Sequence, residues 1–377
     1  MSPSTPPVAR VERYETVVIG GGQAGLAVGQ QLAARDLDLV ILDAERRTGD
    51  AWRRRWDSLR LLTPAKYSGL PGMPFPAPPT HLPDKDEVAD YLERYAERFD
   101  LPIRHDTRVE SLAWDGERYV LHAGAARYEA DNVVVATGPF QKASLPAMAG
   151  QLAPEIRQLH SSDYRSPFAL PDGAALVVGA GNSGAQIALE LARFRKVWLA
   201  GPDTGHLPRR LLGRDLFDWI WPVMTRGTAD TRLGGRLRAR SARGGGALIG
   251  VPERALAEAG IVRVGRLTEV RAGLPVCPGG PGKARECRGR VLQPRVVVWC
   301  TGFAPDYSWI DLPLLDGRGA PRHRRGGATD APGLFFVGLR FQHRMTSSLL
   351  GGVGADATFV AEQVARRVAL AERVVGV

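Results

Sequence analysis

Two glycine-rich turns, each set between a β-branched apolar run and a run of helical periodicity, predict an α/β chain of two Rossmann-like, three-layer ββα units. The first turn reads Gly20-Gly21-Gly22-Gln23-Ala24-Gly25, and the second reads Gly179-Ala180-Gly181-Asn182-Ser183-Gly184. A third observation orders them. The stretch "VVVATGPF" from Val133 returns as "VVVWCTGF" from Val296, so a strand ending in Thr-Gly precedes each change of unit. The expected division is therefore 1–166 for the first unit, 167–294 for an inserted second unit, and 295–377 for the first unit resumed.

The elements follow in order. Thr16–Ile19 is a short strand, the next helix runs to about Arg35, and Leu37–Leu42 is a strand ending in Asp43. The segment "AWRRRWDSLRLLTPAKYSGLPGMPFPAPP" is dense in Pro, Gly and aromatics, and predicts an ordered loop packed over a ligand. Val88, Tyr91, Leu92, Tyr95 and Phe99 recur at helical spacing behind an acidic first turn. Short strands are expected at Val109–Trp114 and Arg118–His122, then the buried run ending in Thr137-Gly138. The second unit begins with a strand at Ala175–Val178, a helix at Gln186–Phe194 and a strand at Lys196–Ala200. From Leu207 to Gly250 an apolar piece, "DLFDWIWPVM", adjoins a basic, glycine-rich one. The chain ends in a strand "GLFFVGL", the turn "TSSLLGGVGAD" and a helix over Ala357–Ala371.

Composition narrows the class. The chain has 377 residues, 44% hydrophobic and 24% charged, enough for packed cores and too balanced for wholesale disorder. No apolar run reaches the length of a membrane-spanning helix. The opening "MSPSTPPVARVER" lacks the apolar core of a secretion signal and reads as a short lead-in. Cys277, Cys287 and Cys300 form no zinc pattern and no C-x-x-C, which points to a reducing, cytoplasmic setting. The net charge of +10 comes almost wholly from arginine, in clusters such as Arg53–Arg55, Arg236–Arg243 and Arg322–Arg325. These lack the interleaved aromatics of a nucleic-acid groove, so a solvated basic surface is expected and nucleic acid is not.

The glycine turns carry the chemistry. The first glycine of G-x-G-x-x-G permits a tight turn, the second lets a pyrophosphate approach the backbone, and the third lets helix pack on strand. The diphosphate then sits on the positive helix end. Asp43 follows Gly20 by 23 residues, where a carboxylate holds an adenosine ribose. The second unit has Leu199, Ala200 and Gly201 at that place, so a ribose 2′-phosphate meets no repulsion there. Arg209 and Arg210 downstream suit such a phosphate. The first turn thus reads as an FAD site and the second as an NADPH site, implying hydride transfer to flavin. Without a close cysteine pair to reduce, the electron acceptors that remain are oxygen with a substrate, a quinone, or a carrier protein.

On these residues the chain resembles the class B flavin monooxygenases, and most of all the plant indole-pyruvate (YUCCA-like) branch with its bacterial, CzcO-like relatives. The resemblance spans Thr16 to about Val368. It rests on "GGGQAGL", "GDAWRRRWDSLRLLTPAKYSGLPGMPFP", "ATGPF", "HSSDY", "GAGNSG", "HLPRR" and "CTGF". The family's linker signature, F-x-G-x-x-x-H-x-x-x-(Y/F), is kept at His160 and Tyr164, while Pro154 and Ile156 replace its Phe and Gly. Tyr164 favours heteroatom hydroxylation over Baeyer–Villiger chemistry.

The resemblance implies that NADPH reduces FAD, that oxygen then gives a C4a-(hydro)peroxyflavin, and that one oxygen atom passes to a small organic substrate. The transfer would be N- or S-oxygenation or oxidative decarboxylation. The alternative is an NADPH reductase feeding a quinone or carrier protein, and a third reading is a flavin-binding sensor without turnover. Cofactor contacts are implied at Gly20, Gly22, Gln23, Ala24, Gly25, Asp43, Trp52, Arg53, Val109, Ala136, Thr137 and Gly138. The second site adds Gly179, Gly181, Asn182, Ser183, Gly184, Arg209, Arg210, Thr301 and Gly302, with Leu349 returning beside the flavin. Lys66 and Tyr67 stand where other branches place an asparagine and become pocket-wall candidates. His160 either touches the nicotinamide or is satisfied by nearby backbone. Gln342 and His343 are further pocket candidates, and the apolar "LFDWIWPVM" lines a substrate channel, packs in a core or meets a membrane surface. Thr137-Gly138 and Thr301-Gly302 are expected as hinges between units. No metal is implied, and a homodimer is compatible with the sequence.

Overall fold

The computed structural model describes residues 11–242, 246–280, 288–317 and 319–375. The N-terminal lead-in before Val11, Cys287 and Arg243 lie outside them. The elements that position the site are β1 (Val11–Ile19), α1 (Gln23–Ala33), β2 (Leu39–Leu42), α2 (Lys85–Arg98), β3 (Ala126–Val135) and β4 (Arg157–His160). They continue with β5 (Ala175–Val178), α3 (Asn182–Leu191), β6 (Val197–Ala200), α4 (Leu216–Arg226), α5 (Arg232–Ala242), β7 (Val262–Val264), β8 (Val296–Trp299), β9 (Leu334–Phe336) and α6 (Gly354–Val375).

Continuous Val/Ile/Leu runs make the central strands, because parallel strands covered on both faces have no polar side to alternate with. In the first sheet the order β9–β3–β1–β2 is parallel, with Ile19 opposite both Leu42 and Val135. Helices α1, α2 and α6 cover one face through Leu26, Tyr91 and Val360, all fully buried. The other face packs on Tyr119, Tyr307 and Leu314. The second sheet runs β7–β6–β5–β8–β4, all parallel.

That second sheet takes in strands from outside the residues 167–294 expected for the second unit. β4 lies before residue 167 and β8 after residue 294, yet both pair within the second unit. The run from Val296 duplicates the run from Val133 because each is the strand beside its own glycine turn, not because each borders the insertion. Other differences are smaller. The second helix starts at Asn182, directly off its glycine turn, and not at Gln186. The last helix extends from Gly354 to Val375.

Helix α2 fixes the loop that will matter most. Asp84 accepts from the Asp86 and Glu87 amides while Glu87 returns to the Asp84 amide, a reciprocal cap that starts the helix. One turn apart, Tyr91 and Tyr95 are fully buried. Tyr91 donates to the Met73 carbonyl and accepts from the Leu70 amide, and Tyr95 donates to the Pro71 carbonyl at 2.7 Å. Two phenols thus pin a proline-rich loop that has no ladder of its own.

Candidate functional site

Both glycine turns have the shape their sequences require. Gly20 and Gly179 take φ of +105° and +112°, open to glycine and costly for other residues. A Cβ on Gly25 would sit 1.8 Å from the Gly20 carbonyl oxygen, and one on Gly184 would sit 1.8 Å from that of Gly179. A Cβ on Gly22 or Gly181, by contrast, would meet nothing within 4 Å. Each middle glycine therefore borders open space at a helix N-terminus, the space a diphosphate needs. The residues present fit the two dinucleotides on this ground.

The flanks differ. Asp43 is nearly buried at the tip of β2, where burial pushes its carboxyl up and the Gly21 and Glu45 amides pull it back down. Next to it, Thr107 donates its amide to the Asp43 carbonyl, and Val109 packs under the first sheet. Beyond β6 the acid is absent, and Arg263 on β7 reaches the Pro202 carbonyl there at 3.5 Å. Arg263 was not singled out in the sequence, because a lone arginine between valines reads as an edge residue. It is 7% exposed, and its other partner is Glu253 at 3.7 Å.

Arg209 and Arg210 are not equivalent. Arg209 forms an ion pair with Asp215 at 2.7 Å and donates to the Leu62 carbonyl of the first unit. Its charge thus already has a carboxylate partner. Arg210 is exposed and spends one Nη on the Gly213 carbonyl. Arg53 is likewise engaged with Thr48, Asp50, Asp90 and Glu93. Trp52 packs against the cores of both units. Asn182 holds the Ile249 amide and the Ala247 carbonyl, tying the second turn to the strand at Leu248–Ile249.

Where the chain crosses between units, two short strands zip together: Lys142–Ala143 pairs antiparallel with Phe303–Ala304. Gly138 and Gly302 just before them have φ of +73° and +82°, and Thr301 donates to the Ser144 carbonyl. His160 completes the crossing. Its Nε2 donates to the Gly302 carbonyl at 3.0 Å, and its Nδ1 accepts from the Ser162 amide and hydroxyl. Burial holds its pKa below the usual range, which keeps it neutral. Both ring nitrogens thus have partners within the chain. Tyr164 is fully buried and donates to Glu190 at 2.8 Å, inside the second core.

The pocket lies elsewhere, between the pinned loop and α4. A cavity of about 510 Å³ is lined by Lys66, Tyr67, Leu70, Phe75, Trp221 and Gly351, among others. Tyr67 stacks on Trp221 with centroids 4.9 Å apart. Lys66 Nζ stands 2.6 Å from Asp218 Oδ1, and the Tyr67 hydroxyl donates to the same oxygen at 2.7 Å. Those two partners hold Asp218 below the usual carboxylate range, while burial and Asp218 push Tyr67 up to about 12. In the apolar piece of the second unit, Leu216 and Phe217 enter the core and Trp221 walls the cavity.

The C-terminal turn closes the floor. A Cβ on Gly351 would strike the Tyr67 carbonyl at 2.0 Å, so the two backbones touch. Gln23 donates to the Ser348 carbonyl at 2.9 Å, linking that turn to the first glycine turn, and Leu349 lies between. Ala24 packs beneath Gly338, and Ala136 backs Gly20. Gln342 and His343 are buried outside this cavity. Gln342 accepts from the Leu339 amide, and the His343 carbonyl accepts from the Ala229 amide. They belong to the seam between units.

Among the described residues no group of side chains could hold a metal ion, and no helix is long and apolar enough to cross a membrane. Cys277 is disulfide-bonded, which the odd cysteine count had hidden. Cys300, behind the second glycine turn, is a free thiol that burial pushes up to about 12. A thiol kept protonated in this way is no nucleophile.

The family model of pyridine nucleotide-disulphide oxidoreductases matches residues 17–206. An uncharacterised CzcO-like oxidoreductase of Geobacillus kaustophilus is 40% identical over 93% of this chain and 98% of its own. A probable indole-3-pyruvate monooxygenase of Arabidopsis thaliana, YUCCA7, is 29% identical over 93% and 87%. The solved flavin-containing monooxygenase of Stenotrophomonas maltophilia is 29% identical with a TM-score of 0.72, covering 94% of this chain and 99% of its own. The chain belongs to the pyridine nucleotide-disulphide oxidoreductase family and, within it, to the flavin monooxygenases of CzcO-like and YUCCA type, oxidoreductases that use FAD and NADPH.

Proposed function

We propose that the protein uses NADPH and oxygen to transfer one oxygen atom to a small organic substrate held in the cavity under Tyr67 and Trp221. The observation that carries this reading is the cavity's position. Its walls come from both units, and its floor, Gly351, is three residues from the carbonyl that Gln23 of the first glycine turn grips. FAD, when bound, supplies the redox and oxygen chemistry; the chain places the reactants and excludes water. Gly20, Gly22 and Gly25 receive the FAD diphosphate, and Asp43 takes its ribose. Gly179, Gly181 and Gly184 receive that of NADPH. Strand membership supports an NADPH unit running from β4 to β8, with FAD held by the segments on either side.

The soft atom of an amine or thioether, or the carbonyl of an oxo acid, fits an aromatic slot with one cation and one phenol. The phenol keeps its proton across neutral pH, so Tyr67 acts as a hydrogen-bond donor and not as a base. A cytoplasmic setting is part of the proposal. Nothing in the geometry or the relatives favours the quinone or carrier-protein reductase.

Mixing reduced holoenzyme and NADP+ with oxygen tests the reaction. The expected result is a transient absorbance differing from both oxidised and reduced flavin. Immediate reoxidation with stoichiometric peroxide would overturn the reading. The pyridine nucleotide is tested separately. Arg210→Ala is expected to raise KM for NADPH by about tenfold or more and leave KM for NADH unchanged, the loss of one charge-assisted phosphate contact. Equal effects on both nucleotides would remove Arg210 from the 2′-phosphate.

A further inference from the structure

The outer surface of α4 and the hairpin before it carry exposed apolar side chains. Before it, a hairpin pairs Arg210 with Asp215 and Leu211 with Arg214, leaving Leu212 and Gly213 at the tip. Leu212 is 82% exposed and has φ of +50°. Two costs coincide there: an apolar side chain in water, and a backbone conformation that Asn or Gly would adopt with less strain. Beside the tip, Trp219 donates its indole N–H to the Leu211 carbonyl at 3.2 Å, and Val223 follows one turn on. Trp219 and Val223 are 43% and 53% exposed, and Arg226 continues the same helix face.

The charges around this patch have one sign. The Arg214 guanidinium sits 5.7 Å from the Trp219 ring centre, and Arg214 and Arg226 are both exposed. The nearby acids Asp215 and Asp218 are taken up by Arg209 and Lys66. Asp230, past the end of α4, is the nearest exposed acid in sequence. The arrangement is layered: leucines at the tip, an indole beside them, guanidinium groups at the rim. A bilayer surface imposes that order, with acyl chains met by aliphatic side chains, the interface by tryptophan and anionic headgroups by arginine.

We propose that the Leu211-Leu212 tip and the outer face of α4 dock the protein on an anionic lipid membrane. The surplus of +10 on the whole chain draws it to such a surface, and the apolar tip holds it there. The opposite side of α4 carries Asp218 and Trp221 at the cavity, so docking sets the helix between lipid and pocket. A lipophilic compound dissolved in the bilayer then reaches the cavity along α4. That last step rests on the proposed function; the docking does not.

The test is flotation of FAD-loaded protein with phosphatidylcholine vesicles and with equimolar phosphatidylcholine/phosphatidylglycerol vesicles. Binding is expected to the anionic vesicles only, and to weaken with added salt. Leu212→Asn relieves the backbone, since Asn tolerates positive φ, and removes the apolar tip. It is expected to lower vesicle affinity by about tenfold while flavin content and melting temperature stay the same or rise. Absence of wild-type binding to anionic vesicles, or undiminished binding by Leu212→Asn, would overturn the proposal. So would light scattering that shows a wild-type dimer and a Leu212→Asn monomer, because the patch would then be covered by a second copy of the chain.

Discussion

Gly181→Ala is expected to yield a yellow protein that NADPH no longer bleaches, and Gly22→Ala a folded protein that comes off the column colourless. The two substitutions are chemically identical, and the structure gives both the same low cost to the fold. A methyl group at either position points into open space, with no atom within 4 Å. What it occupies is the approach of a diphosphate to the backbone amides at a helix N-terminus. The loss therefore falls on the nucleotide and not on the chain. Gly25→Ala and Gly184→Ala would not separate the two, since a methyl group 1.8 Å from a carbonyl oxygen forces helix from strand. Flavin absorbance after purification and anaerobic titration with NADPH read the outcomes, and a thermal melt confirms folding. The assignment of FAD to the first turn and NADPH to the second fails if Gly22→Ala retains its flavin while Gly181→Ala loses it.

The two glycine turns were legible because they are local. A β-branched run, a glycine turn and a helical run are adjacent in sequence, and Asp43 stands at a fixed distance along the same unit. The same holds for the apolar spacing of α2. What was hidden depends on pairs far apart in the chain. The Arg209 carboxylate partner is near, but its other contact, the Leu62 carbonyl, lies 147 residues away. The carbonyl that satisfies His160 is 142 residues distant. A sequence shows which groups are able to form hydrogen bonds, and only the fold shows which are already spent. The sheet membership of β4 was missed for a related reason: Arg157–His160 holds a single apolar residue, Leu159, and it is an edge strand with one partner, β8. The cavity was half legible, since its two walls were named separately as Lys66-Tyr67 and the apolar piece around Trp221, and only tertiary structure joins them.

Asp218→Ala is expected to uncouple the enzyme: NADPH consumption persists, and a larger share of it ends as peroxide. Asp218 is the one residue that both Lys66 and Tyr67 grip, and it belongs to the NADPH unit while they belong to the FAD unit. Removing it deletes both polar ties at the cavity and leaves the Tyr67–Trp221 stack and the Arg209–Leu62 hydrogen bond between loop and second unit. A charge-assisted contact of this kind contributes about 1.5–3 kcal/mol at most, less here because the groups keep some exposure to water. Even the lower end shifts a closed–open equilibrium about tenfold. Asp218→Asn should fall between, because its amide oxygen still accepts from Tyr67 but carries no charge for Lys66. The pH dependence follows from the signs. Asp218 has its pKa lowered from 3.8, so its contribution is present above that value and is lost only as pH falls through the still lower folded one. Tyr67 is raised from 10.0 to about 12, so its contribution is complete below 10.0 and is lost as pH rises toward 12. Coupling in the wild type should therefore be flat between these limits. A ratio of product to NADPH that is unchanged in Asp218→Ala, or that varies through neutral pH in the wild type, would show that this seam does not guard the oxygen-transfer step.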